Sequence, residues 1–307
     1  MNVRLPDLGL GCAPLAGLFD AVDEETARAV VDHAWELGVR YFDTAPAYGS
    51  GLSERRVGAA LAERPREEFV LSTKVGRLLR PGEPESTFKG APPLAPIVDF
   101  SASGVRQSVE ESLERLQLER IDVALIHDPD EHLDAALPLV DALRDLAATV
   151  GVGTKSVSTA LAFVRGSDID CVLIAGRYTL LDRSAELELL PLCAERGVHV
   201  IAAGVFNSGL LSGGSTFDYE AAPPAMVSKR ESLDTMCKSY GVPLAAAALQ
   251  FPRRHPAVST ILVGARSAAE VEQDLDLLAL PLPDEFWAEA QTAYGPPALA
   301  NSSAELA

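Results

Sequence analysis

Four residues of this 307-residue chain carry side chains that together can move a proton: Asp43, Tyr48, Lys74 and His127. Asp43 and Tyr48 share one stretch, Tyr41 to Ser53 (YFDTAPAYGSGLS), which opens as an apolar strand and turns into a loop rich in Pro and Gly. Lys74 stands at the end of the run FVLSTKV, and His127 ends IDVALIH just before Asp128 and Pro129. A free tyrosine, with a pKa of about 10, shuttles protons poorly at neutral pH, but a nearby ammonium favours its ionised form. Asp43 would hold Lys74 charged and oriented, and His127 would hydrogen-bond a substrate oxygen and fix its direction. Such a set protonates a carbonyl, or deprotonates an alcohol, while hydride moves to or from carbon. Singly, each residue has a plainer explanation: Asp43 as a turn cap, Tyr48 as a half-buried loop aromatic, Lys74 as a solvated strand end and His127 as part of a turn. Their placement at consecutive strand ends is what argues for chemistry.

The elements that must position them alternate. A short apolar run, Leu8 to Cys12, precedes a helix from Asp23 to Leu37, in which Ala27, Val30, Val31, Ala34 and Leu37 recur at helical spacing between an Asp23 N-cap and Gly38. Ser53 to Ala62 reads as the next helix, with Ser53 and Glu54 suited to its N-terminus. Gly76 to Ser103, rich in Pro and Gly and without a clear period, reads as a long loop over one face. Helices follow over Val105 to Leu116 and Leu133 to Leu146, and a brief apolar element lies between Gly151 and Gly153. Cys171 to Ala175, His199 to Ala203 and Ser259 to Val263 are strands, interleaved with helices over Thr159 to Val164, Leu187 to Arg196, Ala225 to Tyr240, Leu244 to Phe251 and Ala268 to Leu278. A last helix from Pro283 fades into a polar tail from about residue 295. About eight strand-then-helix pairs imply a parallel α/β sheet, and no G-x-G-x-x-G follows the first strand, so an eight-stranded (β/α) TIM barrel is expected over an open dinucleotide-binding sheet. Residues just past strand C-termini then converge on one face.

Composition bounds the partners. Residues 1–307 are expected to form one domain, since 48% hydrophobic and 23% charged residues suit a large globular core and barrels commonly reach this length. A formal net charge of −18 repels phosphate backbones and anionic lipid, so nucleic acid and membrane are poor partners and a small molecule is expected. Cys12, Cys171, Cys193 and Cys237 lie far apart without metal-ligand spacing, and neither a signal peptide nor a membrane span is apparent, so a cytoplasmic protein with free thiols and no metal is expected.

The stretches RYFDTAPAYGSGLSERRVGAAL, VLSTKVG and LIHDPD resemble the aldo-keto reductase family. By that resemblance Asp43, Tyr48, Lys74 and His127 take the places of the family's tetrad, with Tyr48 as acid/base. STKVGRLL, HDPD, AGRYTLLD, VFNSGLLSGG and AAALQFPRRHPAV look most like its bacterial sugar and pyridoxal dehydrogenases, of the D-threo-aldose 1-dehydrogenase or L-fucose dehydrogenase type. The resemblance implies a nicotinamide cofactor, NAD or NADP, held by Gly153, Thr154, Arg177, Tyr178, Phe206, Asn207, Gly209, Leu211, Gly264, Arg266, Ser267, Gln273 and Asp274.

Two places depart from the family. The fifth-strand region, Leu146 to Val157, is compressed, and Gly151, Val152 and Gly153 lead to Thr154 and Lys155 where the family has an Asn for the nicotinamide amide. In VGARSAAEVEQD, Glu270 takes a place often held by Arg or Gln, and Gln273 with Asp274 replaces Glu and Asn. A helix start with Arg266 and Ser267 suits a phosphate, whereas a carboxylate there would repel a 2′-phosphate, so the balance leans to NAD. The activity expected is oxidation of an aldose lactol to a lactone, with Phe19 and the loop from Gly76 to Ser103 shaping the substrate pocket. A reductase tailoring a secondary metabolite is an alternative with the same four residues, and a non-catalytic binding protein on this scaffold is an alternative of another class.

Overall fold

Residues 3–294 are described here from a computed structural model. The short apolar runs become the staves of one closed barrel: β1 (Leu8–Gly11), β2 (Tyr41–Asp43), β3 (Val70–Val75), β4 (Val123–His127), β5 (Thr149–Thr154), β6 (Cys171–Ala175), β7 (His199–Ala203) and β8 (Val258–Gly264). All pair in parallel with their sequence neighbours, and β1 closes the ring against β8. Strand side chains alternate between two faces. Thus Tyr41, Val123, Leu125, Cys171, Leu173, Ile201 and Leu262 fill the barrel interior, while Phe42, Leu71, Ala124, Ile126, Val150 and Val172 join the layer between barrel and helices. The same alternation turns Asp43, Lys74 and His127, each two residues beyond an inward-facing position, toward the barrel axis at its C-terminal end.

The helices start where the sequence supplies acceptors. Asp23 accepts from the Thr26 amide, Ser101 from Gly104, Ser156 from Thr159 and Ser267 from Glu270, each satisfying an otherwise free first-turn N–H. The helix Leu52–Leu61 does not use Ser53 in this way: its hydroxyl donates to the Cys12 carbonyl at 2.8 Å, and Glu54 is fully buried, accepting from Thr73 at 2.7 Å and Arg115 at 2.5 Å. The expected helix terminus is therefore a buried brace behind β3.

Three further expectations change. The segment after Lys74 is not a structureless loop: Arg77–Pro81 and Leu94–Val98 pair as an antiparallel hairpin. Proline hides this pattern, and Pro96 is tolerated because a two-stranded hairpin leaves outward-facing edges. The helix expected over Leu133 to Leu146 is two short ones, Leu133–Ala136 and Leu139–Leu143, broken at Pro138, which has no N–H to continue the ladder. The brief apolar element expected between Gly151 and Gly153 is a full strand: β5 is six residues long and pairs with both β4 and β6. Its closeness to β6 requires glycine, since a Cβ on Gly151 would lie 2.1 Å from the Cys171 carbonyl oxygen. The expected polar tail lies outside the described residues.

Candidate active site

The loop that carries Tyr48 is forced into a tight path by three consecutive left-handed residues, Gly49, Ser50 and Gly51, with φ of 57°, 51° and 82°. A Cβ on Gly49 would meet Ala16 at 2.7 Å, so glycine permits both the conformation and the close approach. Ser50 secures the turn by donating to the Leu94 carbonyl at 2.5 Å, which ties it to the hairpin.

The four expected residues meet at the barrel mouth. The Lys74 ammonium donates to Asp43 Oδ2 at 2.7 Å and to the Thr44 carbonyl at 3.0 Å; both side chains are buried. Asp43 Oδ1 accepts from the Ser72 hydroxyl at 2.6 Å, which accepts from Tyr41 Oη at 3.0 Å. Lys74 Nζ lies 4.5 Å from the centre of the Tyr48 ring, and the His127 ring stands edge-on to Tyr48 with centroids 5.8 Å apart. Phe88, from the connection within the hairpin, stacks on the other side of Tyr48 at 6.1 Å. Tyr48 Oη and His127 Nε2 make no hydrogen bond among the described residues, and both residues line a cavity of about 400 Å³.

The electrostatics differ from expectation at Tyr48. Burial, and then the nearby Asp43 charge, push its phenol well above the ordinary tyrosine range, so the ammonium does not win and the group is neutral. The physical reason is that Lys74 is already neutralised by Asp43, while desolvation acts on the whole ring. His127 is held well below its usual value by burial, then by Lys74 and Arg77, so its imidazole is neutral too.

The residues expected to hold a cofactor divide. Gly153 and Thr154 line the cavity beside Lys74. Arg177 is held by Asp218 at 2.7 Å, Asp182 at 3.2 Å and the Lys155 carbonyl at 2.9 Å, making it a clamp between β6 and the small hairpin Thr216–Phe217 with Glu220–Ala221. Tyr178 is buried against Phe251 and His255 and does not line the cavity. Beyond β7, Phe206 packs against the core, Asn207 is buried and donates to the Gly176 carbonyl at 3.2 Å, Gly209 adopts φ 98° and the Leu211 side chain lies in the core. At the end of β8, Gly264 leads to Arg266, whose guanidinium pairs with Asp20 at 2.9 Å and whose N–H is taken by Glu270 at 2.8 Å; Ser267 caps the helix Ala268–Ala279. Gln273 is exposed, and Asp274 is turned inward against Leu8, Leu10 and Val263.

Several cavity residues were not singled out from sequence: Arg77, Glu85, Thr87 and Phe88 from the hairpin, Asp128, and Asp218, Tyr219 and Glu220 from the small hairpin. Tyr219 stacks on Phe19 at 5.9 Å, joining the loop after β1 to that hairpin across the mouth. The one available signal was the pair Asp218 and Tyr219 inside a Gly/Ser-rich loop, where consecutive left-handed residues make a hairpin turn. Among the described residues no group of His, Cys, Asp and Glu could hold a metal ion, and no helix is long and apolar enough to cross a membrane.

Comparison with known proteins identifies the family. The sequence profile of the Aldo/keto reductase family matches residues 7–294. The chain is 39% identical to a D-threo-aldose 1-dehydrogenase from Pseudomonas sp., covering 95% of each chain, and 40% identical to a pyridoxal 4-dehydrogenase from Microbacterium luteolum, covering 91% of each. Among solved structures it is similar to the holo form of an aldo-keto reductase from Bacillus halodurans, with a TM-score of 0.77 and 27% identity over 95% of each chain.

Proposed function

The chain belongs to the aldo/keto reductase family and is an oxidoreductase acting on CH–OH or C=O groups; from that premise we propose that it oxidises the lactol form of an aldose or a related hydroxylated aldehyde to a lactone, with Tyr48 as the proton-transferring group. The observation that carries this reading is the convergence on one cavity of a phenol and an imidazole edge that have no hydrogen-bond partner among the described residues, backed by the buried Asp43–Lys74 pair. The named activities of the similar proteins, an aldose dehydrogenase and a pyridoxal dehydrogenase, support a substrate that closes to a hemiacetal.

Aldo-keto reductases use NAD(P)H, and the residues here fit such a group: Gly153, Thr154, Leu173 and Ala175 line the cavity next to Lys74, with Asp218 to Glu220 above. Bound nicotinamide supplies the hydride acceptor or donor. His127 orients the reacting oxygen through Nε2. Tyr48 receives the hydroxyl proton in oxidation or returns it in reduction. Lys74, fixed by Asp43 and the Thr44 carbonyl, supplies the nearest positive charge when the phenol ionises. NAD is favoured over NADP because Glu270 and Asp20 occupy the N–H and guanidinium of Arg266 that a 2′-phosphate would need.

A second reading, reduction of an aldehyde or ketone, draws on the neutral state of Tyr48, which has its proton in hand. Incubating the protein with NAD, NADP and their reduced forms against aldoses, pyridoxal and simple carbonyls, and following absorbance of the reduced nicotinamide, tests both. Reduced cofactor formed with aldoses is expected. No turnover in either direction by a folded protein would overturn the proposal.

A further inference from the structure

Resting on the lactol reading above, we propose that Asp128 and Arg77 recognise the hydroxyl next to the reacting carbon, so that the site selects neutral polyhydroxylated lactols over both anionic and unsubstituted carbonyl compounds. Asp128 directly follows the last residue of β4, and its backbone is unusual. It adopts φ 41° immediately before Pro129, where the proline ring ordinarily drives its predecessor to an extended conformation. Its N–H donates to the Gly153 carbonyl at 2.9 Å, which pins that conformation against β5. Residues held in sparsely populated backbone regions collect at ligand sites, because the surrounding structure must be built to keep them there.

The carboxylate so placed has no hydrogen-bond partner among the described residues. Asp128 Oδ2 is 3.6 Å from His127 Nε2, beyond hydrogen-bond length, and receives no hydrogen bond from any described residue. Burial, then the nearby Asp130 charge, raises its pKa above the ordinary carboxylate range, while 38% of the side chain stays open to the cavity, where a ligand can reach it. Arg77, at the foot of the hairpin, lines the same cavity, and its guanidinium makes no ion pair or hydrogen bond among the described residues although it offers five N–H donors. One wall thus offers an empty acceptor and the other empty donors.

The balance of charge decides the ligand class. Lys74 is neutralised by Asp43 and Asp218 by Arg177, which leaves Glu85, Asp128 and Glu220 facing Arg77 and Lys155. A carboxylate or phosphate on the substrate would meet more negative than positive charge. An unsubstituted aldehyde would desolvate Asp128 and Arg77 and give them nothing in return, the situation that makes hydrogen-bonding sites reject analogues lacking a hydroxyl. A hydroxyl both donates to Asp128 and accepts from Arg77. With the reacting oxygen on His127 Nε2, a hydroxyl on the adjacent carbon lies within reach of Asp128 Oδ2, which is 3.6 Å from that nitrogen.

Matched lactols with and without the hydroxyl next to C1, aldoses and their 2-deoxy counterparts, provide the test, together with a simple aldehyde and a uronic acid. The wild-type protein is expected to prefer the hydroxylated member by about tenfold or more in kcat/KM, chiefly through KM. Asp128→Ala and Arg77→Ala should bring the ratio to within about threefold of unity, chiefly by raising KM for the hydroxylated member, and Asp128→Asn, which keeps an acceptor, should retain part of the preference. A wild-type ratio near one, a uronic acid preferred to the neutral sugar, or a ratio unchanged in the Ala variants overturns the inference and leaves lactol oxidation standing. Absence of any lactol turnover by folded wild-type protein overturns both.

Discussion

Lys74 and Asp43, 31 residues apart in the chain, form an ion pair of 2.7 Å in which neither side chain is more than 5% exposed. Two charges withdrawn from water this far are held by their mutual attraction and by the hydrogen bonds from Ser72 and to Thr44. Removing either partner leaves the other buried and uncompensated.

Lys74→Met is therefore expected to destabilise the fold by about 3–5 kcal/mol in urea denaturation. The double variant Asp43→Asn with Lys74→Met should recover much of that loss, because no charge is left behind. Turnover should remain absent in both. A single variant as stable as wild type would show that the pair is solvated.

Tyr48→Phe removes a hydroxyl that makes no hydrogen bond among the described residues, so its stability should match wild type within about 0.5 kcal/mol. Its kcat should fall by about 10²–10⁴, while binding of reduced nicotinamide, followed by fluorescence, stays the same. Retained turnover would move the proton-transfer role to another group.

Burial keeps the Tyr48 phenol protonated across the neutral range. Oxidation needs the ionised form, whose fraction grows with pH below the pKa, so kcat/KM for oxidation should climb steadily from neutral into alkaline solution. Reduction uses the protonated form and should stay flat over the same interval. His127, already neutral because its pKa is lowered, should add no step near its ordinary value. Matched pH profiles in the two directions check the sign, and an oxidation optimum at neutral pH would contradict it.

Asp274 lies inside the helix Ala268–Ala279 against Leu8 and Leu10, and burial, then Glu270, raise its pKa to about 7. A carboxyl raised above its unfolded value is favourable when protonated, so its contribution is present in acid and is lost as pH rises through about 7. Asp274→Asn should leave stability at pH 4 unchanged and raise it at pH 8, with a ceiling of ~4 kcal/mol from about 1.36 kcal/mol for each pKa unit. Melting curves at both pH values distinguish this from a variant stabilised everywhere.

Glu270→Gln removes the carboxylate that faces Arg266. Wild type should use NAD more efficiently than NADP, and the variant should gain about tenfold in kcat/KM for NADP, the size of one charge-assisted hydrogen bond. An unchanged cofactor ratio would place the 2′-position away from Arg266.

Much of the barrel and the four convergent residues were legible in the sequence because strand identity and strand ends are local properties. An apolar run announces its strand, and the residue at the end of a parallel strand must face the mouth whatever its distant neighbours are. Asp43, Lys74 and His127 needed only that rule, and Tyr48 only the Gly-rich turn behind it. Tertiary structure alone decided what each group experiences. The hairpin of Arg77–Pro81 and Leu94–Val98 was hidden because its pairing joins segments that carry proline and no clear period. The Glu54–Arg115 brace spans 61 residues, and Arg177 was committed to Asp218 rather than free for a ligand. The protonation of Tyr48 reversed for the same reason: desolvation and the cancelling of Lys74 by Asp43 are sums over everything packed around a ring, and no spacing of residues along the chain encodes such a sum.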